Sequence, residues 1–181
     1  MREIDLVLTS CIFPNSLEIN PELSINERIR DTNENIENIL SQTESFSEKI
    51  NIYFIDCSLS EVNKSYLDQV IEKRFLNRIK IIEFSFSEIE KSIILSKGKG
   101  YSEMLMIKKF LTISNSNFFI KISGRYLIKN LKKIIYKFSV LTTIDIYLDY
   151  SKIMGKCSTF FFISNKKLFL KYFFNEIDKL N

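Results

Sequence analysis

The chain of 181 residues contains no histidine and no tryptophan, only two prolines, four glycines and three cysteines. The absence of histidine excludes Ser-His-Asp and Cys-His nucleophilic machinery and the common histidine zinc sites. Acid–base chemistry must then fall to Asp, Glu, Tyr, Lys or a bound metal. Cys11, Cys57 and Cys157 are odd in number and far apart, and no pair has metal-ligand or redox-motif spacing. They read as free thiols at strand ends. No apolar run approaches the ~18–20 residues that span a bilayer. The first residues, Met1-Arg2-Glu3-Ile4-Asp5, are charged where a signal peptide is apolar. The expectation is a cytoplasmic protein.

What is present suits one ordinary α/β domain over residues 1–181. The chain is 45% hydrophobic and 27% charged, enough to bury a core and unlike a disordered segment. Its net charge of +4 fits an anionic small ligand or a weak preference for a membrane surface, and is no argument for nucleic acid.

Apolar runs over residues 3–8, 49–57 and 78–84 read as buried strands. A helix capped by Ser24 or Asn26 and running to about residue 45 separates the first two, with Ile29, Ile36, Ile39 and Leu40 on one face. A second helix, capped by Ser60 and carrying Val62, Leu67, Val70 and Ile71, separates the next two. Strand, helix, strand, helix, strand is the signature of parallel βαβ units. After a connecting segment, the pattern predicts a helix over 101–114, a strand over 118–122, a helix over 128–138, strands over 142–148 and 158–163, and a helix over 166–180. The fold class is α/β: three αβα layers around a mostly parallel sheet. Ligands of such sheets gather at the carboxyl ends of the strands, which puts residues 9–13, 56–58 and 85–86 on the ligand side.

Three of the four glycines fall in two short motifs. Lys97-Gly98-Lys99-Gly100-Tyr101-Ser102-Glu103 precedes a helix. Backbone N–H groups, the positive end of the helix dipole and two lysines together suit a phosphate. A loop with a Ser102 cap accounts for it equally well, and the pattern is neither a P-loop nor a dinucleotide fingerprint. Ser123-Gly124-Arg125 follows the strand at 118–122, on the ligand side. Arg125 offers a planar fork that binds a diphosphate bidentately; an exposed arginine in a βα turn is the plainer reading.

Together, Leu6-Val7-Leu8-Thr9-Ser10, Arg28 with Arg30-Asp31-Thr32, Ile55-Asp56-Cys57-Ser58, Gly98 to Glu103 and Phe119 to Tyr126 resemble, in order, the GT-A (nucleotide-diphospho-sugar transferase) glycosyltransferases of bacterial capsule and lipopolysaccharide synthesis. The resemblance covers residues 4 to about 165. It implies transfer of a sugar from a nucleotide-sugar donor to a surface-polysaccharide acceptor, free or lipid-linked. It places Thr9 and Ser10 by the nucleotide, Arg28 and Asp31 around its pocket, and Asp56 by base or ribose. Lys99 and Gly100 would face the sugar and diphosphate. Ser123, Gly124 and Arg125 would occupy the place where many such enzymes carry Asp-x-Asp.

That is a departure, because the Asp-x-Asp carboxylates hold a divalent metal on the leaving diphosphate. An arginine can supply that charge, so the expectation is metal-independent transfer, with Mn2+ or Mg2+ as the alternative. Asp145 and Asp149 lie four apart on one face of a strand, ~13 Å apart at the usual rise and too far for one ion. With Glu103 they are the candidates for a catalytic base, in the order Glu103, Asp145, Asp149. Relatives of this kind usually continue into an acidic motif after the aromatic helix, so the chain reads as minimal or truncated. The lysine-rich helices at 128–138 and 166–180 fit peripheral contact with an inner membrane, or simply pack on the core with their lysines in water. A catalytically silent binding subunit is the alternative function, and a nucleotidyltransferase a third, disfavoured because residues 9–13 hold no glycine.

Overall fold

A computed structural model describes residues 3–13, 23–46, 49–58, 70–140, 145–151 and 156–173. Among the described residues six strands form one sheet, in the order β3-β2-β1-β4-β6-β5 when numbered along the chain. Strands β1 (Ile4–Ser10), β2 (Ile50–Asp56), β3 (Lys80–Glu83) and β4 (Phe118–Ser123) run parallel. Strand β6 (Lys156–Asn165) is antiparallel to β4, and β5 (Ile146–Ser151) is antiparallel to β6. The four parallel strands therefore end together at one edge, with β1 flanked by β2 and β4. Strand β1 is apolar on both faces because both are covered.

Alternation divides the core into two layers. Leu6, Leu8, Ile52, Phe54, Ile120 and Ile122 face α1 (Ile25–Thr43) and α4 (Leu131–Val140), which cover them with Ile36, Ile39, Leu131 and Ile135. Val7, Ile55, Phe119 and Phe162 face the other way, towards α2 (Glu88–Lys97) and α3 (Lys99–Ile113), where Ile107, Phe110 and Leu111 meet them. Phe169, just past the short helix Lys166–Leu168, joins this second layer. The expected αβα sandwich is the observed fold.

Local chemistry sets the helix ends. Ser24, rather than Asn26, caps α1 in a reciprocal box with Glu27. The connecting segment before residue 101 proves to hold helix α2, begun by the same device between Ser87 and Glu90. Gly98 stops α2 and starts α3 at once. Its φ of +84° is a conformation that favours glycine, and no side chain caps α3, so Ser102 lies within the helix and is not its cap.

Strand β6 is longer than expected, and β5 begins at Ile146. The start of its expected range, 142–144, lies outside the described residues, as do most of the helix expected after Ser60 and residues 174–180 of the last one. The β5–β6 ladder shifts between Leu148 and Tyr150, and the extra residues lie on β6, between Cys157 and Phe162. The apolar stripe of α4 packs on the core through Leu131, Ile135 and Phe138, while Lys132, Lys133 and Lys137 stand in water beside the exposed Tyr136 and Val140. No helix among the described residues is long and apolar enough to cross a bilayer.

Asp5 closes the end of the sheet opposite the strand carboxyl ends. Its buried carboxylate accepts from Ser114 Oγ at 2.6 Å, Ser116 Oγ at 2.8 Å and Asn51 Nδ2 at 3.3 Å, pinning the α3–β4 connection to β1 and β2. Charge-assisted bonds of this kind are strong, and their loss leaves buried hydroxyls unpaired. Asp5→Ala is therefore expected to cost about 2–4 kcal/mol in urea unfolding at unchanged slope.

Candidate functional site

At the carboxyl edge of the sheet, β1, β2 and β4 end beside one another and their last residues are tied together. Gly124 donates its N–H to the Thr9 carbonyl at 2.8 Å. A Cβ at Gly124 would stand 3.0 Å from that same oxygen and 3.4 Å from Ser10 Cβ. Glycine is needed here for close approach of two backbones rather than for an unusual φ. From the other layer Asn35, buried on α1, donates to the Gly124 carbonyl at 3.0 Å and the Ser123 carbonyl at 3.4 Å. Tyr126 N–H returns to the Ser123 carbonyl at 3.0 Å and completes a turn. Arg125 is held in the middle of this turn, partly exposed, and among the described residues its guanidinium has no hydrogen-bond or ion-pair partner.

Beneath the turn lies a buried ion pair. Lys121 is fully buried in mid-strand, yet it carries an ammonium group. Its Nζ lies 2.8 Å from Glu103 Oε1 and 2.7 Å from Ser123 Oγ. Glu103 Oε1 also accepts from Ser123 Oγ at 2.9 Å and from Thr9 Oγ1. One carboxylate oxygen thus gathers the end of β1, the end of β4 and helix α3. Burial pushes the Lys121 ammonium below the ordinary lysine value of 10.5, against the pull of the Glu103 charge and hydrogen bond.

Asp56 and Arg28 brace the neighbouring loop. Asp56 is fully buried and accepts from Ile12 N at 3.0 Å, Ser58 N at 2.6 Å and Ser58 Oγ, while Ser58 Oγ accepts from Phe13 N at 3.0 Å. Arg28 donates to the Cys11 carbonyl at 3.0 Å and the Leu23 carbonyl at 3.2 Å. Both residues therefore shape the ground beside Thr9 and Ser10. Asp31 lies on the surface of α1, paired with Arg30 at 3.0 Å. Cys11 and Cys57 face each other past the ends of β1 and β2. Their mutual hydrogen bond and burial push the Cys57 thiol far up, making it a poor nucleophile.

The structure thus brings together Thr9, Ser10, Glu103, Ser123, Gly124 and Arg125, with Arg28 and Asp56 behind the first loop. Lys99 and Gly100 form the first turn of α3, with Glu103 in the next. Asp145 is not brought there. Its carbonyl accepts from Asn165 N at 2.7 Å, and Asn165 pairs with Phe118 at the start of β4. Ser123 is five residue steps beyond Phe118, about 17 Å along the strand. Asp149 lies on β5, separated from β4 by β6. Sequence reasoning missed Lys121, although a lysine among Phe119, Ile120 and Ile122 is a signal, because a buried ammonium demands a counter-charge.

The sequence matches no family model and no curated protein. The likeness lies in the fold. The mannosyltransferase PcManGT of Pyrobaculum calidifontis, solved with GDP-Man and Mn2+, superposes with a TM-score of 0.58 at 8% identity, over 94% of this chain and 47% of that one. The bifunctional IspDF of Campylobacter jejuni matches with a TM-score of 0.50 at 15% identity, over 93% of this chain and 42% of that one. The chain spans about half the length of each or less. It shares with these structures an α/β, GT-A-like fold.

A divalent ion such as that of the mannosyltransferase complex needs hard oxygen ligands, and the residues here do not fit one. Ser123, Gly124 and Arg125, at and after the end of β4, offer no carboxylate. Glu103 already faces the Lys121 ammonium, and the Asp56 carboxylate caps backbone N–H groups. Among the described residues no cluster of three metal-ligating side chains occurs.

Lys121→Met leaves Glu103 largely buried without its counter-charge, so it should cost ~3–5 kcal/mol, and Lys121→Met combined with Glu103→Gln should cost less than the two singles summed. Because folded Lys121 holds its proton less tightly than the unfolded chain does, the unfolded state binds more protons just below pH 10.5. The stability of the wild type relative to Lys121→Met should therefore rise as pH climbs through that window. Urea unfolding at a series of pH values checks both; a difference that falls with pH would contradict the assignment.

Proposed function

We propose that the carboxyl edge of β1, β2 and β4 binds a nucleotide diphospho-sugar and that the chain transfers the sugar to a hydroxyl of a glycan acceptor, on a surface polysaccharide or its lipid-linked precursor. The observation that carries the reading is the placement of Arg125. Arg125, whose guanidinium has no hydrogen-bond or ion-pair partner among the described residues, follows β4 on a turn whose backbone is held by Thr9 and Asn35. A diphosphate offers that fork two oxygens in one plane.

Thr9 and Ser10 lie against the same turn, where the nucleotide side of the donor would rest, and Arg28 and Asp56 hold the loop that borders it. Asp31, Lys99 and Gly100 remain candidates for outer contacts. In the transfer, the acceptor oxygen forms the new bond to the anomeric carbon as the bond to the diphosphate breaks. The electron pair leaves with the nucleotide diphosphate, and the hydroxyl proton passes to a base. Arg125 meets the charge that grows on the leaving group, the role a metal plays in sites with paired carboxylates.

The positions of the candidate bases favour a second reading. Glu103 Oε1 is committed to three donors and Asp145 lies at the far end of the sheet, which leaves Asp149 as the open candidate of the three. A binding subunit without transferase activity needs no base at all.

Thermal unfolding against nucleoside diphosphates and sugar nucleotides, with and without Mn2+, tests the reading. A ligand held at 100 times its Kd stabilises the native state by about 2.7 kcal/mol. One nucleotide class should raise the midpoint without metal, and Arg125→Ala should weaken that binding at least tenfold. A shift that requires Mn2+, or one indifferent to Arg125→Ala, would overturn the metal-free clamp. Release of nucleoside diphosphate from the bound donor in the presence of acceptor glycans separates the transferase from the silent subunit.

A further inference from the structure

Next to Arg125, on the side away from β2, two aromatic rings stand exposed and stacked. The Tyr126 and Phe160 ring centroids are 4.1 Å apart with planes at 24°, and the two residues remain 42% and 46% exposed. Tyr126 belongs to the clamped turn. Phe160 lies just beyond the last β4–β6 pair, Ile122 with Phe161, on the stretch of β6 where its ladder with β5 shifts register. The stack itself places the Phe160 ring against Tyr126, three residues beyond Ser123. Leu127, 51% exposed, extends the apolar surface. Two rings and a leucine held half in water by a rigid turn and an inner strand form a patch rather than scattered apolar residues.

We infer that this pair is a stacking platform for the pyranose ring of the acceptor, an inference that rests on the proposed donor site. A flat ring with C–H groups on its faces and hydroxyls around its rim matches what is there. The aromatic faces receive the C–H groups, and Arg125 beside them presents five donors to oxygen. A hydrocarbon chain would leave those donors unanswered. Position gives the choice of acceptor over donor. With the diphosphate on Arg125 and the nucleoside towards β1 and β2, the platform on the β6 side is the ground left for the incoming sugar.

Saturation-transfer NMR with the methyl glycosides of glucose, galactose, mannose and N-acetylglucosamine tests the platform. At least one should take up saturation through its ring C–H protons. Phe160→Leu, which keeps apolar bulk but removes the flat face, should lower that signal at least threefold, as should Tyr126→Ala; Tyr126→Phe should retain it. The nucleotide-induced thermal shift, read on the same samples, should stay within twofold of wild type in affinity. No saturation of any glycoside, or a signal unchanged in Phe160→Leu, overturns the platform. If the nucleotide shift persists, only the platform fails; if it is also absent from the wild type, the donor site fails with it.

Discussion

The site edge of this sheet depends on a charge in an unlikely place. Lys121 lies in the middle of an inner strand with no access to water, and an ammonium there is tolerable only with a partner at bonding distance. Glu103 is that partner, at 2.8 Å. The pair joins α3 to β4, and because the same oxygen accepts from Thr9 and Ser123 it also sets the hydroxyls at the ends of β1 and β4. Buried pairs of this kind contribute little net stability, but each partner is costly to remove alone. What the pair provides is position: two strand ends and a helix are held in one arrangement.

The turn above the pair uses that fixed base. Gly124 lets β4 come within hydrogen-bonding distance of Thr9, Asn35 holds the turn from the opposite layer, and Arg125 projects from a backbone with little freedom left. A binding group loses affinity to every rotation it must give up on binding, so a guanidinium on such a turn is better prepared for a diphosphate than one on a free loop. Tyr126 belongs to the same turn, and Phe160 stacks on its ring. The donor site and the acceptor platform proposed for this edge thus share a single turn.

Much of this was legible in the residues. The continuous apolar runs of β1, β2 and β4 mark a sheet covered on both faces, and the order of strands and helices marks its parallel half. Ser123-Gly124-Arg125 at a strand end pointed to the ligand edge. Helix α2 was missed although Ser87 and Glu90 spell a capping box, because its apolar residues make only a weak stripe. Lys121 was passed over because pattern reading takes lysine as solvated and does not ask what an inner strand would do with it. The distance of Asp145 from the edge was hidden for another reason. Its remoteness follows from pairing with β6, a register between residues far apart in sequence that no local pattern encodes. Arg28 and Asp56 could be named as residues near a pocket, but not as braces of a loop, since their partners are backbone groups and carry no sequence signature.

The most direct measurement is a map of amide shifts in isotope-labelled protein as a nucleoside diphosphate is added without metal. The account expects the largest changes at Thr9, Ser10, Ser123, Gly124 and Arg125, with the Asp5, Ser116 and Asn165 end of the sheet unmoved. Changes centred on that opposite end, or none at saturating nucleotide, would contradict the claim that the edge built on Lys121 and Glu103 is a nucleotide-sugar site.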